Sequence, residues 1–306
     1  MGPRRASAAV LLCTVIGSLL AAPATADTAE DPLFVEWSSV LPGLTSGYDP
    51  TSADECTAGK IQCVDKVIRE MTRRFGRLAS ACDHNAVFAL TYLRTTEEYK
   101  RAATTPGFFT DASFVNHEDA VFASYYFEAY DDWAAGRTSE VPKAWRVALD
   151  AARNRQVTGS GNMMLGLSAH INRDLPYVLA EIGLVKPDGS SRKPDHDQVN
   201  HFLNRVTQPV IAELARRFDP TADDGNVSGT YDETATLQLV VAWREQAWRN
   251  AELLVNAPTA AARAVVEQQI ETDAYLKAVV LKAGTSYGLF QSSAARDAHC
   301  AANWNS

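Results

Sequence analysis

His170 and Asp174, in the string Leu167-Ser-Ala-His-Ile-Asn-Arg-Asp-Leu175, are the side chains of this sequence whose types and spacing best suit chemistry. They lie four residues apart in an apolar helical stretch, so both leave the same face one turn apart. Met163, Leu167, Val178 and Glu181 share that stripe, which places an imidazole and a carboxylate among hydrophobic neighbours. Such groups are costly to bury unless they are paired, hydrogen-bonded or bound to a metal. One or more divalent ions, zinc foremost, held by Asp119, His170 and Asp174 would lower the pKa of a bound water and supply hydroxide near neutral pH. Without a metal, His170 acts as a general base that Asp174 orients. The structural alternative is a satisfied buried pair closed by Arg173, Arg244 or a helix end.

Asp119 precedes Phe122, Tyr126, Ala129 and Trp133 on one helical stripe and is expected to face the same core. Glu252, one turn beyond Trp248, is the candidate for a further ligand or a general base from another helix. The HxxxD spacing is less specific than HExxH, in which the spacing and the catalytic Glu are both fixed. His84, His117, His196 and His201 read as surface or helix-start residues. Asp195 with Gln198 has capping-box spacing, and Trp145, Trp243 and Trp248 read as packing residues.

The elements that must position these groups are nearly all helical. Ile61, Val64, Ile68, Met71, Phe75, Leu78 and Cys82 step by three and four residues, which predicts a long amphipathic helix with Cys82 inside. Val199, Leu203, Val206, Val210 and Leu214 repeat the pattern, and strand-like alternation is nearly absent. Turn signals fall at Thr105-Pro106-Gly107, Pro187-Asp188-Gly189 and Asp223-Asp224-Gly225. The expected fold is all-α, a single multi-helix bundle of about seven to nine helices. Pro176 cannot donate to the carbonyl of Asn172, so a kink is expected within a turn of the His170 and Asp174 pair.

Residues 1–26 read as a signal peptide, with Arg4 and Arg5, an apolar run from Ala8 to Leu20, and Ala24-Thr25-Ala26 as the cleavage site. The expectation is an exported protein whose residues 27–306 form one helical domain. No other stretch approaches the roughly 20 apolar residues of a transmembrane segment. Removing Arg4 and Arg5 leaves 27 basic residues against 37 acidic ones, a net charge near −10. Arg73-Arg74 and Arg216-Arg217 read as isolated surface pairs, so nucleic acid is excluded as a partner. Cys56, Cys63, Cys82 and Cys300 make an even number in an exported chain; of the three pairings, Cys56 with Cys63 and Cys82 with Cys300 is favoured.

Asp119-Ala-Val-Phe-Ala-Ser-Tyr-Tyr-Phe127, Ala169-His-Ile-Asn-Arg-Asp-Leu-Pro176, Asp195-His-Asp-Gln-Val-Asn200 and Ala247-Trp-Arg-Asn-Ala-Glu252 resemble segments of an actinobacterial family catalogued as a domain of unknown function. That resemblance spans most of residues 80 to 290 and implies a single helical domain without assigning an activity. Through His170 and Asp174, with Asp119 as an extra ligand, the chain is also loosely similar to helical zinc-dependent phospholipase C and single-strand nuclease families. The functional expectation is an exported metal-dependent hydrolase of an ester or phosphoester, with small molecules and lipids as substrate classes. The alternatives are a non-catalytic envelope protein that binds an apolar ligand or partner, and cyclase or oxidase chemistry in a hydrophobic helical cavity. Oligomeric state is left open.

Overall fold

The computed structural model describes residues 40–222, 233–289 and 291–306. The expected signal peptide over residues 1–26 and the turn signal Asp223-Asp224-Gly225 lie outside the described residues. Nine continuous helices make up the described bundle, with two isolated bridges and no strand among the described residues. They are α1 (Ile61–Ser80), α2 (Ala86–Ala103), α3 (Ala112–Ala134), α4 (Lys143–Arg153), α5 (159–182), α6 (Lys193–Arg217), α7 (Glu233–Val255), α8 (Ala260–Gly284) and α9 (Ser293–Asn303). The all-α expectation therefore holds. Several helix starts use the expected chemistry: Thr158, Thr259 and Ser292 each accept a hydrogen bond from the backbone N–H three residues on, and Asp111 does so for α3.

Phe127, Trp145, Leu90, Met164 and Leu179 are fully buried where α2, α3, α4 and α5 meet. Gly166 of α5 permits the closest of these approaches, since a Cβ there would lie 2.2 Å from the Phe88 ring. The α1 stripe is right in phase, yet the helix ends at Ser80, and Cys82 takes a left-handed φ of 50° and is only partly buried. Arg74, expected on the surface, is buried: its guanidinium pairs with Asp131 and with Glu70 at 2.7 Å. Arg217 is likewise buried and donates to the Trp304 carbonyl. A hydrophobic stripe counts apolar positions and is blind to ion pairs that share its face.

The expected kink at Pro176 takes a specific form. α5 is an α segment over Gly159–Ala169, a π turn over His170–Asp174 and an α segment over Leu175–Ile182. The Leu175 N–H reaches back five residues to the His170 carbonyl. Proline removes the next donor of an α ladder, and the widened turn absorbs the mismatch. Both candidate residues therefore sit at the two ends of the π turn.

The two disulfides join Cys56 to Cys63 and Cys82 to Cys300, as expected. No helix among the described residues is long and apolar enough to cross a membrane.

Candidate functional site

The π turn brings His170 Nδ1 to 2.9 Å from Asp174 Oδ2. That carboxylate is completely buried and has two further donors: Trp145 Nε1 at 2.8 Å on Oδ2 and Arg173 Nη1 at 3.1 Å on Oδ1. A carboxylate with three donors accepts from all of them, so the proton of the imidazole resides on Nδ1 and the Nε2 lone pair is left as a base. Trp145, read from sequence as packing, also orients the acid.

Aromatic rings hold the imidazole in one plane. Phe122 stacks on it at 3.5 Å with 5° between planes, and Tyr92 stands edge-on at 4.6 Å. Burial is the main influence on His170 and pushes its pKa below the usual 6.5, against the opposing hydrogen bond and charge of Asp174. The ring is therefore neutral at neutral pH.

Nε2 has no hydrogen-bond partner among the described residues and opens on a cavity of about 100 Å³. Three more buried, unpartnered polar atoms belong to residues lining the same cavity: Tyr92 Oη and Thr96 Oγ1 from α2, and Asp119 Oδ2 from α3. Buried polar groups are nearly always satisfied, so four unpartnered ones in one hollow mark a place built for a ligand. Arg244 of α7 completes the polar lining, with Glu118 beside Asp119. Four helices thus converge on one spot. The rest of the wall is apolar, from Phe88, Leu175, Val199, Phe202, Leu203 and Val240.

Burial raises the Asp119 pKa to about 8, helped by the charge of Glu118. Glu118 rises to about 7, again chiefly through burial, with Arg244 opposing. Asp119 is consequently a protonated acid at neutral pH, facing the same hollow as a neutral base. An acid whose folded pKa lies above its unfolded 3.8 costs stability as pH climbs between the two values. Asp119→Asn keeps the neutral shape and removes that cost, so it should melt higher than the parent at pH 9, by on the order of 1–3 kcal/mol, and match it near pH 4. Thermal melts at the two pH values check this, and an equal difference at both would contradict the buried neutral acid.

The donor set does not fit the metal centre expected from sequence. Asp174 has spent its oxygens on His170, Trp145 and Arg173, which leaves His170 Nε2 and Asp119 Oδ2 as the inward-facing atoms of that trio. Among the described residues, no three His, Cys, Asp or Glu side chains are grouped to hold a metal ion. Nor does the structure bring Glu252 to the cavity. Its Oε1 accepts from Trp248 Nε1 at 2.8 Å and its Oε2 pairs with Arg249 at 3.0 Å on the exterior of α7.

Other candidates have structural duties. His117, in the interior of α3 rather than at a helix start, is fully buried between the Cys56 and Ser46 carbonyls. His84 bonds Asp297, and His196 bonds the Arg244 carbonyl. Asp195 does not cap its own helix; it accepts from Thr110 and Asp111, tying α6 to the loop before α3. An open groove of about 560 Å³, rich in carboxylates, meets the buried pair through Arg173, which also bonds Glu271 of α8. Sequence reasoning missed Tyr92 and Thr96; their i, i+4 spacing on an apolar stripe of α2 is the signal that points to them.

No curated protein and no solved structure is significantly similar to the chain. The phospholipase C and nuclease families do not appear among the matches. A family described as "Family of unknown function (DUF5995)" matches residues 64–284, a span that contains every cavity residue, and the chain belongs to that family.

Proposed function

We propose that this protein is a metal-independent hydrolase of small carboxylic esters, with His170 as general base, Asp174 as its orienting acid and Asp119 as the proton-bearing acid. The observation that carries this reading is the set of four buried, unpartnered polar atoms around one hollow, with a base and a protonated acid among them. Two disulfides and the leader-like N-terminus support an exported protein.

A water attacks the ester carbonyl carbon and gives its proton to His170 Nε2, while Asp174 stabilises the imidazolium through Nδ1. The carbonyl oxygen takes up negative charge and accepts hydrogen bonds from the Asp119 carboxyl and the Tyr92 hydroxyl. When the C–O bond to the alcohol breaks, the proton on Nε2 passes to the departing oxygen. Acid and alcohol are released, and His170 and Asp119 return to their starting forms. The apolar wall keeps bulk water from competing for these few hydrogen bonds.

The required protonation states set the pH profile. His170 must be neutral, so kcat/KM has an acid limb, displaced below the usual imidazole range by burial of the ring. Asp119 must hold its proton, so kcat/KM falls again through about 8. Asp119→Asn should lose that alkaline limb. Release of butanoate from methyl butanoate across pH 5 to 10 is the test; a profile that climbs with hydroxide in both proteins excludes an acid at Asp119. Binding of the ester without turnover at any pH would leave ligand binding alone.

A further inference from the structure

Arg244 is a buried cation in no direct ion pair: Glu118 and Asp197 act on it only through space. It is 6 % exposed, and among the described residues it makes no ion pair. Its Nε donates to Asn200 Oδ1 at 2.9 Å, and Nη2 donates to the His196 carbonyl at 2.7 Å and lies 3.3 Å from His196 Nδ1. Nη1 donates to none of the described residues. All of its acceptors are neutral. Burial of an unpaired guanidinium costs several kcal/mol, so a protein that holds one in this way gains from an anion brought in by a ligand.

The position is as informative as the charge. Arg244 lines the same cavity as His170, yet its neighbours there differ. Arg244 is fastened to His196 and Asn200 of α6, whereas the His170 ring is held by Tyr92 of α2, Phe122 of α3 and Asp174 of its own turn. The hollow therefore has a cationic end at Arg244 and an acid–base end at His170 and Asp119. Apolar side chains such as Phe202, Leu203 and Val240 lie along it. A volume of about 100 Å³ is room for roughly six to eight non-hydrogen atoms.

We infer that the cavity selects a small amphipathic monocarboxylate, with Arg244 binding its carboxylate, an apolar chain along the wall, and an ester carbonyl at His170. The substrate class becomes the half-ester of a short dicarboxylic acid, a refinement that rests on the hydrolase reading. The anion site itself requires no catalysis. Lysine would be a poor substitute, because the planar fork spends two nitrogens on Asn200 and His196 and presents the third to the ligand.

Calorimetric titration of the full chain with hexanoate and with hexanamide separates charge recognition from chain burial. Hexanoate is expected to bind at least about tenfold tighter than hexanamide. Arg244→Gln should remove that preference and leave hexanamide binding as it was. Glu118→Gln, which keeps the guanidinium and removes the competing carboxylate, should tighten hexanoate several-fold and guards against a folding defect in the first variant. Equal binding of acid and amide by the parent, or a preference that survives Arg244→Gln, overturns the inference. His170→Ala should retain the hexanoate preference. If monomethyl malonate is bound through Arg244 but never hydrolysed, the hydrolase reading fails and anion recognition stands; if hydrolysis depends on His170 while monomethyl and dimethyl malonate are treated alike, the reverse holds.

Discussion

His170→Ala should lower kcat for ester hydrolysis by about 10²–10⁴-fold with little change in the helical circular dichroism signal. The imidazole is the base that faces the hollow, and its loss leaves a space among Phe122, Tyr92 and Trp145 that water can enter. Asp174→Asn should act as strongly through a different route. An amide in place of the carboxylate cannot accept from His170, Trp145 and Arg173 together, so the ring loses the partner that keeps the proton on Nδ1. Turning the tautomer puts a proton on Nε2, and a base becomes a donor. Asp174→Ala is the less useful variant, because it strands Arg173 and Trp145 in the core and destabilises the fold by about 3–5 kcal/mol. The diagnostic comparison is kcat and melting temperature for the parent, His170→Ala and Asp174→Asn. Full activity in His170→Ala would remove the imidazole from the mechanism.

The pair at the centre of the site was legible because it is local. Four residues of spacing on an apolar stripe fix both the mutual contact and the burial, and the π turn that delivers it alters the backbone while leaving the two side chains together. Helical periodicity likewise carried the fold class, and Asp119 was legible from its own stripe. What could not be read is the meeting of separate helices. Tyr92 and Thr96 look like ordinary α2 residues until α2 is packed beside α3 and α5, and Arg244 looks like one of many arginines until its hydrogen bonds are seen to end on neutral acceptors. Glu252 failed for the same reason in the opposite sense. Its register relative to Trp248 was right, and the indole does hydrogen-bond to it, but which way that face of α7 turns is set by partners distant in sequence. The donors on Asp174 were equally out of reach. A lone HxxxD string does not reveal that Trp145 and Arg173 occupy the acid, and these bonds cross from another helix and from the intervening residue of the turn.

The Cys82–Cys300 bridge should prove the strongest single support of the fold against heat. It closes a separation of 218 residues, against 7 for Cys56–Cys63. In the chain-entropy view the long loop contributes about 5 kcal/mol and the short one about 2. Replacing both Cys82 and Cys300 by Ser is therefore expected to cost about 2–5 kcal/mol and lower the melting temperature by roughly 5–15 °C, while Cys56→Ser with Cys63→Ser costs less. The larger loss also has a packing reason. The bridge fastens α9, which delivers the buried Arg296 to His84 Nδ1 at 3.1 Å, the Val157 carbonyl at 3.2 Å and Asn162 Oδ1 at 2.6 Å. Burial first, and the Arg296 charge second, hold the His84 pKa down at about 4. A histidine with a depressed folded pKa loses stability as pH falls from its unfolded 6.5 towards that value, because the unfolded chain takes up the proton first. Without the bridge that acid-driven cost falls on a helix held by side chains alone. The double serine variant should thus show its widest melting gap from the parent near pH 4 to 5, and a gap that is constant from pH 4 to 8 would show that α9 stays docked without its tether.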